Sequence, residues 1–244
     1  MRMKSWIGSG ITLILAAGFI AQGHENDPKR NPEPPVYGEI VYGNPNAEGS
    51  IAGFDSENVI FCSQVPINQL GGSGNGSDCW GYTSPSGREY AIITCETSCT
   101  WVEISDPYSP DVVYTYSRGG TSSLWGDVKV IGAYCYLVGE SGGALKVFNM
   151  SNIDSGTVTY VGESSSDGTS ASHNVVSCPE AGLLARCGGG SNGLRWYSTS
   201  NPSNPSYLGA YSDIYVHDAQ IVLYPDDGPD ATYRGHVIGF LNGG

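Results

Sequence analysis

Four polar residue pairs recur along the sequence, each at the start of an alternating apolar stretch. Asp, Asn and His are residue types that hold metal ions, because oxygen donors suit Ca²⁺ and imidazole nitrogens suit transition metals. Successive pairs are 49, 47 and 44 residues apart, so a repeating fold would bring them to equivalent places. The pairs are Ser77-Asp78, Gly126-Asp127, His173-Asn174 and His217-Asp218.

These pairs supply two sets of candidate residues. If the repeats form a ring around a central channel, the pairs would lie at the mouth of that channel. The ligand candidates there are Asp78, Asp127, His173, Asn174, His217 and Asp218. A metal site would use His173, His217, Asp127 and Asp218, with Ca²⁺ or a transition metal as cofactor. The alternative is structural, because Asp or Asn at a strand start can bind turn N–H groups and tie neighbouring units together. Repetition in every unit favours the structural role, whereas the histidines occur in only two units and are better candidates for function.

A second landmark indicates which elements position the pairs. Three segments are typical of a strand that ends in a Ser/Asn/Asp/Pro turn, and their starts are 44 and 49 residues apart: WVEISDPYSP (101–110), LKVFNMSNID (145–154) and LRWYSTSNPSNP (194–205). A period of about 40–50 residues with several short strands is typical of a β-propeller blade. The sequence therefore predicts an all-β fold, an incomplete β-propeller of about three and a half four-stranded blades.

The repeat also predicts domain boundaries. Blades are expected near 77–117, 123–164, 170–211 and 214–244, the last with only about two strands. Residues 58–66 (NVIFCSQVP) are predicted to form an outer strand that closes the ring. Because three and a half blades would leave an apolar edge open, we expect a fragment whose further blades, and any anchor, lie beyond Gly244.

Composition excludes several classes of protein. Charged residues make up 14% of the chain and there are 35 glycines, which disfavours helical bundles and coiled coils. The hydrophobic fraction of 39% is enough to bury a core, which disfavours disorder. The net charge of −13 disfavours nucleic acid as a partner, because its phosphates would be repelled.

The N-terminal residues 1–23 have the three parts of a secretory signal peptide. Arg2 and Lys4 are followed by an apolar stretch (6–20) and then by small residues at 21 and 23. The apolar stretch is shorter than the roughly 20 residues that a membrane-spanning helix needs, so no membrane span is expected after cleavage. Residues 24–57 form a polar, Pro-rich leader. The predicted location is secreted, extracellular or at the cell surface.

In an oxidising compartment the seven cysteines could form disulfides and two sequons could be glycosylated. Cys95 and Cys99 are a possible disulfide across a tight hairpin, and the odd count leaves at least one cysteine without a partner in this chain. The sequons place candidate glycosylation sites at Asn75 and Asn149.

Several runs together resemble the choice-of-anchor B family of extracellular proteins with LVIVD-type propeller repeats. The resemblance covers about residues 58–244, and HDAQ with the trailing GPD…Y-x-G is its most specific part. It implies a secreted or surface-displayed β-propeller, and it implies no particular chemistry. The family usually has Arg or His where this chain has Gly126. The runs are SDCWGYTSPSGREYAI (77–92), SLWGDVKV (123–130), ASHNVVS (171–177), YVHDAQIVLY (215–224) and GPDATYRGHVIGF (228–240).

These observations predict an acidic, secreted or cell-surface binding and interaction module rather than an enzyme. Its partner would be an extracellular protein or a carbohydrate, with a metal or small ligand at the channel mouth. Two alternatives stay open. One is a metal-dependent propeller hydrolase in which His173, His217 and either Asp127 or Asp218 hold a metal that activates water. The other is a purely structural surface protein.

Overall fold

The computed structural model describes residues 11–13, 34–44, 59–119, 122–142, 144–164, 166–189 and 192–243. Almost all regular structure in these residues is β, apart from two 3₁₀ turns at Ile153–Ser155 and Pro179–Ala181. Three short strands precede the repeats: β1 (Ile11–Leu13), β2 (Val41–Tyr42) and β3 (Ser63–Gln64). No helix in the described residues is long and apolar enough to cross a membrane.

The repeats form three four-stranded antiparallel sheets and one smaller sheet, which we number as blades 1 to 4. Blade 1 contains β4 (Gly76–Thr83), β5 (Glu89–Cys95), β6 (Ser98–Glu103) and β7 (Asp111–Ser117). Blade 2 contains β8 (Gly126–Ile131), β9 (Tyr134–Gly139), β10 (Leu145–Asn152) and β11 (Thr157–Ser164). Blade 3 contains β12 (Asn174–Cys178), β13 (Leu183–Cys187), β14 (Leu194–Ser198) and β15 (Ser206–Tyr211). Blade 4 contains β16 (Val216–Leu223) and β17 (Val237–Gly243), and β1 pairs in parallel with β17.

Local sequence explains these meanders. Strands rich in Val, Ile and Tyr alternate between two faces and are separated by short polar or Gly turns. Strands β8 and β9, for example, are joined by two residues, and Gly132 there has φ +57°, which few other residues adopt without strain. Each sheet is therefore built from neighbours in the chain, and its two apolar faces must be covered by other sheets.

The sheets stack face to face, with an apolar cluster at each interface. The inner strands β4, β8, β12 and β16 contact one another in that order, so the blades follow around one axis. Trp101 and Phe148 meet between blades 1 and 2 with ring centroids 5.0 Å apart. Tyr136 and Leu184 pack between blades 2 and 3, and Trp196 and Ile221 pack between blades 3 and 4. The all-β propeller architecture with four-stranded blades is confirmed, and the blades form an open, unclosed arrangement.

Most of the segment predicted to close the ring is described, and its closing role stays a prediction because the blades expected beyond Gly244 would supply its partner. Residue 58 lies outside the described residues, and Ser63–Gln64 pair with β2. The chain that follows packs Ile67 and Leu70 on the face of blade 1 that points away from blade 2. Thr100 Oγ1 donates a hydrogen bond to the Leu70 carbonyl at 2.5 Å. The physical reason is that this face of blade 1 is apolar and would otherwise be exposed to water.

Most of the predicted signal peptide and leader lies outside the described residues. Within 1–23 only the backbone of β1 is described, and its register pairs Ile11 with Val237 and Leu13 with Gly239. Within 24–57 the structure describes residues 34–44. Cleavage and secretion stay predictions.

The structure contains no disulfide between Cys95 and Cys99, contrary to the sequence prediction, and all seven cysteines are free thiols. The reason is side-chain alternation along a strand. Thr94 lies directly opposite Cys99, so these two side chains share one face and Cys95 points to the other. Cys99 accordingly packs between blades 1 and 2, whereas Cys95 packs against Leu70 on the outer side of blade 1.

Candidate functional site

The polar pairs lie at one end of the four inner strands. Each pair lies within the first three residues of β4, β8 or β16 or, for His173-Asn174, at the start of β12, and neighbouring inner strands are in contact. The equal period along the chain therefore becomes adjacency in space. The structure shows two kinds of arrangement at this end: hydrogen bonds that join the blades, and a cluster around the two histidines.

The first arrangement consists of side chains that bond to the backbone of the next blade. Ser77 Oγ accepts the Gly126 N–H at 2.8 Å and joins blade 1 to blade 2. Asp127 Oδ2 accepts the Val175 N–H at 2.8 Å and joins blade 2 to blade 3. Asn174 Nδ2 donates to the His217 carbonyl at 3.1 Å and joins blade 3 to blade 4. These contacts support the structural role considered for the pairs.

Lys129 binds both aspartates of the first two blades, and the sequence did not indicate it. Its Nζ lies 2.5 Å from Asp127 Oδ1 and 3.2 Å from Asp78 Oδ2. The same ammonium lies 4.5 Å from the ring centroid of Trp80, within the range of a cation–π interaction. Lys129 stands two residues after Asp127 and therefore on the same face of β8, which is the only sequence signal that could have found it.

The Asp78–Asp127 pair retains a proton near neutral pH. Burial, and then the hydrogen bond with Asp78, raise the pKa of Asp127 to about 8. Burial also acts to raise the pKa of Asp78, but its hydrogen bonds with Asp127 and Lys129 lower that pKa overall. The pair of carboxyl groups is therefore expected to retain a proton beside the Lys129 ammonium.

This proton predicts a pH dependence that an Asp127→Asn variant removes. Asp127 has a pKa near 3.9 when unfolded and about 8 when folded, so the folded state binds the extra proton between these values. Its contribution to stability is complete below about pH 4 and is lost as the pH rises through about 8. Urea unfolding at several pH values should show that the free energy of unfolding falls more steeply between pH 5 and 9 in the wild type than in the variant. Equal slopes would show that Asp127 is ionised throughout.

The second arrangement is a cluster that we call the mouth cluster. Its centre is His173, which is 4% exposed and precedes β12. His173 Nδ1 lies 2.7 Å from Glu140 Oε1, and the His173 ring centroid is 4.1 Å from that of His217 and 5.5 Å from that of Trp125. Tyr215 lies beside Glu140. Burial raises the pKa of Tyr215, and the charge of Glu140 adds to this effect. The mouth cluster consists of Trp125, Glu140, His173, Tyr215 and His217.

The geometry of the mouth cluster sets the chemistry of His173. A carboxylate can only accept, so Nδ1 of His173 carries the proton of the bond to Glu140. In the neutral ring, Nε2 is then the acceptor nitrogen. Sequence reasoning found the two histidines but missed Glu140 and Tyr215. Glu140 directly follows β9 of blade 2, and this strand contacts β12 of blade 3, which His173 precedes.

The four predicted metal ligands are not grouped as a metal site. The part of the chain that the structure describes contains no group of three or more His, Cys, Asp or Glu side chains placed to hold an ion. Both Asp127 oxygens accept backbone N–H bonds, and Asp218 is exposed and accepts the N–H of Ala219 at 2.7 Å. His173 and His217 are the two members in contact, and a metal ion stays a prediction from the sequence.

Both predicted glycosylation residues have engaged side-chain amides. Asn75 Nδ2 donates to Glu96 Oε1 at 2.9 Å, just before β4. Asn149 lies within β10, and its Oδ1 accepts the N–H of Ser151 at 2.8 Å. Both residues are only partly exposed. Glycosylation at either position stays a prediction.

Comparison with known proteins adds a likeness in fold. The sequence matches no protein-family model and no curated protein. Among solved structures, the chain is similar to the β-propeller domain of Cps50 (Swd1) from Myceliophteria thermophila, with a TM-score of 0.43 and 8% sequence identity. The similarity covers 60% of this chain and 46% of that one, so this chain spans about half of the propeller that it resembles.

Proposed function

We propose that this protein is a secreted or cell-surface binding module whose ligand binds at the mouth cluster. The observation that carries the proposal is the contact between His173 and His217 of neighbouring blades, whose ring centroids are 4.1 Å apart. Glu140 binds the ring of His173. The inter-blade hydrogen bonds account for Asp127 and Asn174, and they do not account for these imidazoles. The signal-like N-terminus and the resemblance to choice-of-anchor B repeats support the location.

The side chains of the mouth cluster suit a carbohydrate. Trp125 and Tyr215 are partly exposed and offer aromatic surface against which the C–H face of a sugar can pack. Glu140 and the two imidazoles offer hydrogen-bond donors and acceptors for hydroxyl groups. A few directed polar groups beside aromatic rings is the usual composition of a small-ligand site.

A glycan array followed by calorimetry tests this function. The wild-type protein is expected to bind at least one class of glycan, and His217→Ala should weaken its binding at least tenfold. His217 is the better position to change because it is less buried than His173 and its carbonyl bond to Asn174 is retained. The matched control is His236→Ala, which removes an imidazole outside the mouth cluster and should bind as the wild type does. The proposal is wrong if no glycan binds, or if His217→Ala and the wild type bind equally.

A further inference from the structure

Arg118 is a buried cation in the interface between blades 1 and 2. It follows β7 directly and is 8% exposed. Its guanidinium lies over Gly126 and Gly139, which are paired in β8 and β9. A Cβ atom added at Gly126 would lie 2.8 Å from Nη2, and one added at Gly139 would lie 2.9 Å from Nη1. The two glycines therefore leave the space that this guanidinium occupies.

The guanidinium of Arg118 is incompletely satisfied. Its Nε and Nη2 are buried and have no hydrogen-bond partner among the residues that the structure describes. The acidic groups that act on it are the thiols of Cys95 and Cys99 and the phenol of Tyr116, which are neutral at pH 7. Burial lowers the pKa of Arg118, because its positive charge is removed from water and no carboxylate of the described residues compensates it.

A second buried cation faces the same interface. Lys146 lies opposite Leu137 in the sheet and shares the face of blade 2 that packs on blade 1. It is 9% exposed, and its Nζ is 3.6 Å from Glu163 Oε2, whose side chain is 48% exposed. Burial lowers the pKa of Lys146, Glu163 acts against this effect, and the charge of Arg118 adds to it.

The charge balance at this interface is opposite to that of the whole chain. Asp and Glu outnumber Lys and Arg by 24 to 11, yet here the half-exposed carboxylate of Glu163 lies beside Lys146, and no carboxylate is among the described groups that act on Arg118. In blade 3, by contrast, the two buried arginines have a counter-charge, because the buried carboxylate of Asp167 binds both Arg186 and Arg195. A buried charge without a partner costs several kcal/mol, so a counter-charge is expected beside Arg118.

We propose that Arg118 and Lys146 form a binding site for a small dianionic oxyanion between blades 1 and 2. The planar guanidinium directs N–H groups that suit two oxygens of one anion, and the Lys146 ammonium supplies a second charge. Inorganic phosphate and a short dicarboxylate share this chemistry. Gly119, the next residue in the chain, is exposed, so solvent lies one residue away from the site.

The site predicts anion-specific stabilisation of the full chain. Thermal unfolding is measured with increasing sodium phosphate, sodium malonate or sodium chloride at matched ionic strength. A ligand that binds only the folded state raises the midpoint in proportion to ln(1 + [L]/Kd), so phosphate should give a rise of about 3–6 °C at 100 times its Kd, and the midpoint should increase linearly with the logarithm of phosphate concentration. Malonate separates a general dianion site from one that selects phosphate. If phosphate and malonate both act as chloride does, the proposal is overturned.

Variants locate the effect. Arg118→Gln should abolish the anion-dependent rise, and Lys146→Met, which retains the guanidinium, should weaken the affinity at least tenfold in calorimetry. The matched control is Arg88→Gln, which removes a cation of blade 1 that is bound by Glu103 and should leave the rise unchanged. If Arg118→Gln does not fold, Lys146→Met decides the question. The proposal is overturned if the anion-dependent rise of the midpoint is unchanged in Arg118→Gln or in Lys146→Met. It is also overturned if Arg88→Gln loses as much of this rise as they do.

Discussion

An Asp167→Asn variant is expected to lose about 3–5 kcal/mol of its free energy of unfolding, measured by urea denaturation at pH 7. Asp167 lies in the connection between blades 2 and 3, and its side chain is fully buried. Oδ2 lies 2.9 Å from Arg186 Nη1 and 3.1 Å from Arg195 Nε. Removing this one carboxylate leaves two buried guanidinium groups without a counter-charge, which is among the most costly single changes in a core.

The matched control for this change is Asp106→Asn. Asp106 is exposed and its Oδ1 accepts the N–H of Tyr108 at 3.0 Å, as Asp167 Oδ1 accepts the N–H of Thr169 at 3.0 Å. Both residues thus make the same local turn, but only Asp167 faces arginines. Asp106→Asn should change stability by less than about 0.5 kcal/mol. Similar losses in the two variants would show that the turn, and not the ion pair, carries the effect.

The same pair of variants has a predicted pH dependence. Burial acts to raise the pKa of Asp167, but bonds from Thr169 and Tyr197 and the charges of the two arginines lower it overall. A carboxyl with a lowered folded pKa contributes stability above its unfolded pKa and loses it as the pH falls through the folded value. The difference between wild type and Asp167→Asn should therefore shrink below about pH 4.

The second large effect is expected for Asp127→Ala, which should lower the free energy of unfolding by about 3 kcal/mol at pH 7. This change removes the acceptor for the N–H of Val175, a residue with no exposed surface, and that N–H would be buried without a partner. It also removes the nearer of the two carboxyl groups that bind Lys129. The first loss falls on the junction between blades 2 and 3, and the second falls on the ion pairs that Lys129 makes within blade 2 and with blade 1.

Asp218→Ala is the matched control for Asp127→Ala. Asp218 occupies the equivalent position in blade 4 and makes the equivalent bond within its own strand, to the N–H of Ala219. It is exposed, and the described residues include no next blade for it to join. Its loss should cost less than about 1 kcal/mol, measured in the same denaturation series. Equal losses would mean that the bond within the strand, and not the bond between blades, matters at Asp127.

The candidate site was only partly accessible from sequence. The repeat period brought Asp78, Asp127 and the two histidines to equivalent strand ends, and the structure places them there. Lys129, Glu140 and Arg118 were missed, because each acts from the face or end of a strand toward another blade. Which face a residue takes depends on register, and a shift of one residue reverses it.

The sequence alone determined the all-β class, the four-stranded repeat and the strand ends where polar residues gather, because turn residues and strand alternation are local properties. Tertiary structure decided the rest. It turned residues 65–70 onto blade 1, gave Asp127 and His173 their different partners, and buried the guanidinium of Arg118 between blades 1 and 2. These outcomes depend on which surfaces of distant segments are buried together. The free energy of that burial is a property of the packed blades and cannot be assigned to any one stretch of chain.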